Sequence, residues 1–142
     1  MPTRNAQARW TGDLLHGQGS MKLGSGAFQG PFSFATRMEN SPGTNPEELI
    51  AAAHAGCFSM AFSAVLGKAG FTPKSIDTTA AVRLEKVGDG FKITRSVLKT
   101  RGQVPGLDQA AFQQHAEAAK KGCPVSQALA GVQIELEATL ED

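Results

Sequence analysis

Hydrophobic positions along this chain follow two rhythms. Alternation with period two marks "AQARW", "GSMKL" and "FSFATRME" near the start, "TTAAVRLEKV" and "FKITRSVLKTRGQV" past the middle, and "VQIELEATL" at the end. Such alternation sends successive side chains to opposite faces of a strand. In the third run it predicts Phe32, Phe34 and Thr36 on one face, with Arg37 on the other. Gly12, Gly17, Gly19, Gly24, Gly26 and Gly30 read as turns between the early strands. The Gly-Asp-Gly at 88–90 joins the two middle runs as a β-hairpin. In the last run Val132, Ile134, Leu136 and Ala138 share a face.

Between these strands lies a different pattern, "NPEELIAAAHAGCFSMAFSAVLGKAGF". Asn45 is a good N-cap, Pro46 suits the first helical position, and Glu48, three residues after Asn45, completes a capping box. Glu47 is thereby left without that structural job. The helix is predicted from Pro46 to about Lys68, ended by Gly70 as a glycine C-cap. Its apolar residues occur all round, the pattern of a helix buried on every side. A chain of 142 residues can hardly surround so long a helix, so a second subunit is expected to cover part of it. A second, amphipathic helix is expected over "QAAFQQHAEAAKK" with Asp108 as N-cap, ended by Gly122, and a short helix opens at Pro124. Strands and helices in this order, without strict alternation, predict an α+β fold with a mainly antiparallel sheet.

Length predicts a single domain spanning residues 1–142. The composition, 41% hydrophobic and 19% charged with a formal charge of +1, offers no basic stripe for nucleic acid or an anionic membrane. Leu49 to Leu66 carries no formal charge, and about 18 such residues is the lower limit for a membrane span. Ala, Gly, Ser and His dominate that run, which favours a buried soluble helix. The polar start "MPTRNAQARW" has no apolar signal region, so a cytoplasmic location is expected.

The candidate chemistry rests on two cysteines, Cys57 and Cys123, which lie too far apart for a local CxxC motif. In the reducing cytosol such a pair is more often catalytic, redox-sensing or unpaired than a permanent bridge. Cys57 sits mid-helix in apolar company, where a thiol is inert unless a cation compensates. Cys123 directly precedes Pro124, at a helix start whose dipole favours a thiolate. Peroxide reduction suits the pair: one thiolate becomes a sulfenic acid and the second cysteine condenses with it to a disulfide. The first step needs a fixed positive charge, best an arginine, and the arginine needs a carboxylate to orient it.

"GTNPEELIAAAHAGCFSMAFSAVLGKAGFTPKSIDTTA", together with "VPGLD" and "GCPVSQAL", resembles the OsmC/Ohr family and, within it, the osmotically inducible branch. The resemblance spans nearly the whole chain. It implies a cysteine-based peroxidase preferring organic hydroperoxides over hydrogen peroxide. It also implies antiparallel sheets packed on long central helices in an intertwined homodimer, with two active sites at the subunit interface. Carried over by motif, Cys57 is the peroxidatic cysteine, Cys123 the resolving cysteine, and Glu47 the carboxylate that orients the catalytic arginine. In the organic hydroperoxide resistance branch that arginine lies in a Gly-Arg-x-Gly motif near the N-terminus. Here "GQGSMKLGSGAF" holds none, and the candidate is Arg37 in "FATRMEN". Ten residues of helix separate Glu47 from Cys57, a rise of about 15 Å. Glu47 is therefore expected to serve the Cys57 of a second subunit.

No bound cofactor is expected, only an external dithiol reductant, for which the resemblance suggests the lipoyl type. Phe58, Met60 and Phe62 could wall an apolar pocket, although each also reads as plain core. Two rivals stand beside this reading. His54, Cys57, His115 and Cys123 are zinc-ligand types, but neither local spacing is a finger pattern, and His54 reads better as a packing residue with a hydrogen-bonded ring. A non-enzymatic ligand-binding or stress-related dimer would leave both cysteines as packing residues.

Overall fold

A computed structural model describes all 142 residues. Six strands and four helices follow one another: β1 (Ala6–Thr11), β2 (Gln18–Leu23), β3 (Gln29–Phe32), α1 (Phe34–Met38), α2 (Pro46–Lys68), β4 (Ser75–Val87), β5 (Gly90–Gln103), α3 (Gln109–Gly122), α4 (Pro124–Ala128) and β6 (Gln133–Glu141). This is the expected α+β class. The residues group into two compact units, Met1–Leu49 and Ile50–Asp142, divided in the first turn of α2.

The first unit is an antiparallel sheet in the order β1-β2-β3, followed by α1. Here the period-two reading of FSFATRME fails. The strand stops at Phe32, and Phe34–Met38 is a helical turn. Ser33 and Thr36 form a capping box, each side chain bonded to the other's backbone N–H, at 3.2 and 2.8 Å. Those local bonds outweigh the strand preference of the two phenylalanines. Arg37 thus projects from a helix, not from a strand face. Every residue of β1 is exposed, as are Leu14 and Leu15 in the loop after it.

The second unit holds the core. Helix α2 has the predicted bounds. Asn45 accepts the Glu48 N–H at 2.8 Å, but the Glu48 carboxylate takes the Thr44 hydroxyl at 2.7 Å instead of returning to Asn45, so only half of the expected capping box forms. At the other end Gly70, with φ +91°, lets Gly70 N–H reach the Gly67 carbonyl and Phe71 N–H the Leu66 carbonyl. That is the two-bond Schellman stop. His54, Phe58, Phe62 and Leu66, four residues apart, are wholly buried. The three apolar ones each contribute about 1.5–3 kcal/mol of burial. By length and composition α2 could cross a membrane. In this chain, though, one stripe of it packs with Leu98, Phe112, Ala116 and Ala119 in the core.

β4 and β5 form the expected hairpin, tightened to a two-residue turn at Gly88 and Asp89, where Gly88 takes φ +62°. A β-bulge follows Arg83, leaving Thr94 as the extra residue. β6 joins the far side of β5 in parallel, the one parallel pair in the chain. A parallel partner needs a crossover, and α3 and α4 supply it. On the inner face of β5, Gly102 leaves room for the Phe112 ring, whose Cε1 lies 2.8 Å from where a Cβ would sit.

Candidate active site

Each unit holds one pair of the residues singled out above. In the first, Arg37 of α1 meets Glu47 at the start of α2. Guanidinium Nε donates to Glu47 Oε1 at 2.9 Å, and Nη2 lies 2.8 Å from the same oxygen in an ion pair. The Glu47 side chain is buried while Arg37 keeps an open edge, and Glu47 Oε2 is buried without a partner. Position explains the division of labour between the two glutamates. Glu48 is spent on Thr44, and Glu47, one residue earlier, turns to the arginine.

In the second unit the fold brings Cys57 and Cys123 together across 66 residues of sequence. Cys57 is half-buried on α2, and Cys123 is wholly buried where α3 ends and α4 begins. Burial pushes the Cys57 thiol up, and the neighbouring Cys123 sulfur pushes it the same way by accepting its proton. Burial also acts against a Cys123 thiolate. It is outweighed by the Cys57 thiol and by the N–H and hydroxyl of Ser126 and the N–H of Val125, so that Cys123 comes down. No closed cap hydrogen bond reaches Cys123 from the helix amides, which act on its sulfur as oriented dipoles. In the chain by itself Cys123 is therefore the more acidic thiol of the two and Cys57 the less acidic. A Cys57 thiolate needs a cation in addition.

Around this pair lies a polar chain. His54, wholly buried one turn before Cys57, has its Nδ1 2.8 Å from Ser96 Oγ on β5 and its Nε2 2.8 Å from Ser126 Oγ on α4. Burial lowers the His54 pKa and keeps the ring neutral. The histidine is hydrogen-bonded, as the sequence suggested, but its partners were not foreseen. Ser126 carried one legible signal, standing three residues after the N-cap Cys123, where side chains reach back toward a cap. Ser96 carried none beyond its place in an alternating strand. No cluster of three or more His, Cys, Asp or Glu side chains is arranged to hold a metal.

A thiol pair at a helix start, on an α+β fold with two three-stranded sheets, defines a class. The chain belongs to the OsmC-like protein family, whose family model matches residues 38–137. It is 55% identical over 127 residues to peroxiredoxin OsmC of Escherichia coli, covering 89% of each chain. It is 37% identical over 90 residues to the organic hydroperoxide resistance protein of Xanthomonas axonopodis pv. citri, covering 63% of this chain and 61% of that one. The fold is similar to the crystal structure of the organic hydroperoxide resistance protein OhrB of Bacillus subtilis, with a TM-score of 0.72 at 26% identity over 96% of this chain and 98% of that one.

Proposed function

We propose that this chain is a thiol-dependent peroxidase that reduces organic hydroperoxides, with Cys57 as the attacking and Cys123 as the resolving cysteine. The observation that carries the reading is the meeting of the two thiols, half-buried and buried, at the start of α4. The names of its relatives, a peroxiredoxin and organic hydroperoxide resistance proteins, support the same chemistry.

The Cys57 thiolate attacks one peroxide oxygen: an S–O bond forms, the O–O bond breaks, and the alkoxide leaves and takes up a proton as the alcohol. Cys57 is now a sulfenic acid. Cys123 attacks its sulfur, the S–S bond forms, and the hydroxyl leaves as water. An external dithiol, of the lipoyl type, returns both thiols. Cys123 has the more acidic sulfur in the isolated chain, but it is fully enclosed, and a nucleophile for bulky peroxides must be reachable. That favours Cys57 for the first step.

Arg37, held by Glu47, supplies the missing cation to Cys57 of the partner subunit in a homodimer. Two observations support the dimer. Strand β1 and the side chains of Leu14 and Leu15 are exposed in the single chain, and so is Met60 on α2, at 78%. Apolar surface of this kind calls for a covering partner. The working unit is then a single OsmC-like domain of residues 1–142, acting in the reducing cytoplasm where a dithiol can recycle it.

The test is peroxide consumption. Reduced protein mixed with cumene hydroperoxide and a dithiol is expected to consume the peroxide. Cys57→Ser is expected to abolish this, and Cys123→Ser to form one sulfenic acid, lose the disulfide and overoxidise. Undiminished turnover in Cys57→Ser would overturn the assignment.

A further inference from the structure

Two contacts join α2 to the start of α4, and each helix offsets them by the same step. Cys57 stands three residues after His54 on α2, and Cys123 stands three residues before Ser126. Residues three apart on a helix are surface neighbours, about 5–6 Å between Cβ atoms. The His54–Ser126 hydrogen bond, at 2.8 Å, and the meeting of the two thiols therefore lie side by side between the same two helices. The chain runs in opposite senses there, since 54 to 57 is matched by 126 to 123.

Helix α4 needs such a tie. It has five residues, far below the roughly 12 at which a helix begins to hold itself in water. Its side chains make two hydrogen bonds: Gln127 reaches back to the Gly122 carbonyl at 3.4 Å, and Ser126 crosses to His54. Ser126 alone therefore fastens α4 to α2 by a directed bond. Cys123 follows any movement of α4, because its carbonyl accepts the Gln127 N–H at 3.1 Å. Its own N–H is held by the Ala119 carbonyl of α3 at 2.9 Å.

The histidine is itself anchored. Its Nδ1 lies 2.8 Å from Ser96 Oγ on β5, the central strand of its sheet, so bonds at both nitrogens fix the rigid ring. His54, Ser96 and Ser126 are all buried, away from the water that would compete for these bonds. A frame of sheet, α2 and α4 is thus closed through one imidazole, one helical turn from each sulfur.

We propose that His54 is a positioning residue for disulfide closure: held by Ser96, it fastens α4 through Ser126 and so keeps Cys123 set against Cys57. In that step the Cys123 thiolate attacks the Cys57 sulfenic sulfur, the S–S bond forms, the S–O bond breaks, and hydroxide leaves to be protonated by water. Cys57 is reduced and Cys123 oxidised. The inference rests on the reading of Cys123 as the resolving cysteine. A hydrogen bond holds its partners together by about a factor of five net, so its loss leaves about a fifth of the chains with the sulfur in place.

The experiment treats reduced full-length protein with excess cumene hydroperoxide, without a dithiol, and measures linked chains against Cys57 sulfinic acid by mass spectrometry. Closure and a second peroxide compete for the same sulfenic acid, so this ratio reports the closing step apart from the first attack. Ser126→Ala is expected to lower the ratio about fivefold. The loss should persist at alkaline pH, where Cys123 is ionised in every variant, because the sulfur's position and not its acidity has changed. Ser126→Thr, which keeps the hydroxyl, is expected to restore the ratio. His54→Leu is expected to match Ser126→Ala if it folds, and the Ser126 variants decide the matter if it does not. A Ser126→Ala ratio equal to that of the wild type at alkaline pH, or a loss that Ser126→Thr shares in full, overturns the inference alone. A wild-type chain that never links Cys57 to Cys123 overturns the resolving role itself, and the inference with it.

Discussion

Arg37 brings two guanidinium nitrogens, Nε as hydrogen-bond donor and Nη2 as ion-pair contact, to a single oxygen of Glu47 and leaves the other oxygen of that buried carboxylate unpartnered. The pair is an anchored cation: the glutamate is fixed by burial at the start of α2, and the arginine is fixed by the glutamate. Lysine cannot donate from two fixed nitrogens and would place its charge elsewhere. Arg37→Lys is therefore expected to lower kcat/KM for cumene hydroperoxide by about a hundredfold with the fold intact. Steady-state peroxide consumption beside a circular dichroism spectrum measures this, and an unchanged kcat/KM would remove Arg37 from the mechanism.

His54 makes stability depend on pH. Its folded pKa lies below the unfolded value near 6.5, so below that pH the unfolded chain binds a proton that the folded chain refuses. Its effect on stability is nil well above pH 6.5 and grows as a loss as pH falls through it, by at most about 1.4 kcal/mol per unit. Urea unfolding at about pH 7.5 and about pH 5.5 should show the decline, and the decline should be smaller in His54→Gln. An equal pH dependence in both proteins would contradict the burial of a neutral ring.

Phe112 and Gly102 make a matched contact between α3 and the sheet. Phe112 is wholly buried and packs against Phe62, the rings tilted by 57° with centroids 4.9 Å apart. Phe112→Ala is expected to cost about 3–5 kcal/mol. Gly102→Ala should cost about 1–3 kcal/mol, because its new Cβ meets ring carbons at 2.8 and 3.0 Å. Urea midpoints measure both, and a neutral Gly102→Ala would mean that the ring moves aside freely.

Met60 separates the single chain from the proposed homodimer. It is 78% exposed on α2, and a glutamate there should be tolerated by a monomer. In the dimer it is expected to meet the partner's apolar surface, so Met60→Glu should lower the mass seen by sedimentation and reduce peroxidase activity together. A variant that keeps the mass and activity of the wild type would place this face in solvent.

Elements written in local chemistry were legible from the sequence. Asn45 with Pro46 and the glycine at 70 bounded α2, Asp108 began α3, and the paired alternating runs gave β4 and β5. Where two local signals competed, periodicity misled: the alternation of Phe32, Phe34 and Thr36 lost to the Ser33–Thr36 capping box. Topology was harder, because nothing in "VQIELEATL" says that it pairs in parallel with β5. That depends on where α3 and α4 return the chain. Two pairings were readable from residue type and motif: Cys57 with Cys123, and Arg37 with Glu47. Ser96 and Ser126 were not, since each matters only through a histidine 42 or 72 residues away.

The most direct measurement is a mass spectrum of the protein after one equivalent of organic hydroperoxide under non-reducing conditions. The expected result is a chain lighter by two hydrogens, with the peptides carrying Cys57 and Cys123 linked and no free thiol left to alkylate. Two alkylatable thiols, or a sulfinic acid at Cys57 beside a free Cys123, would contradict the proposal that these sulfurs work as a pair.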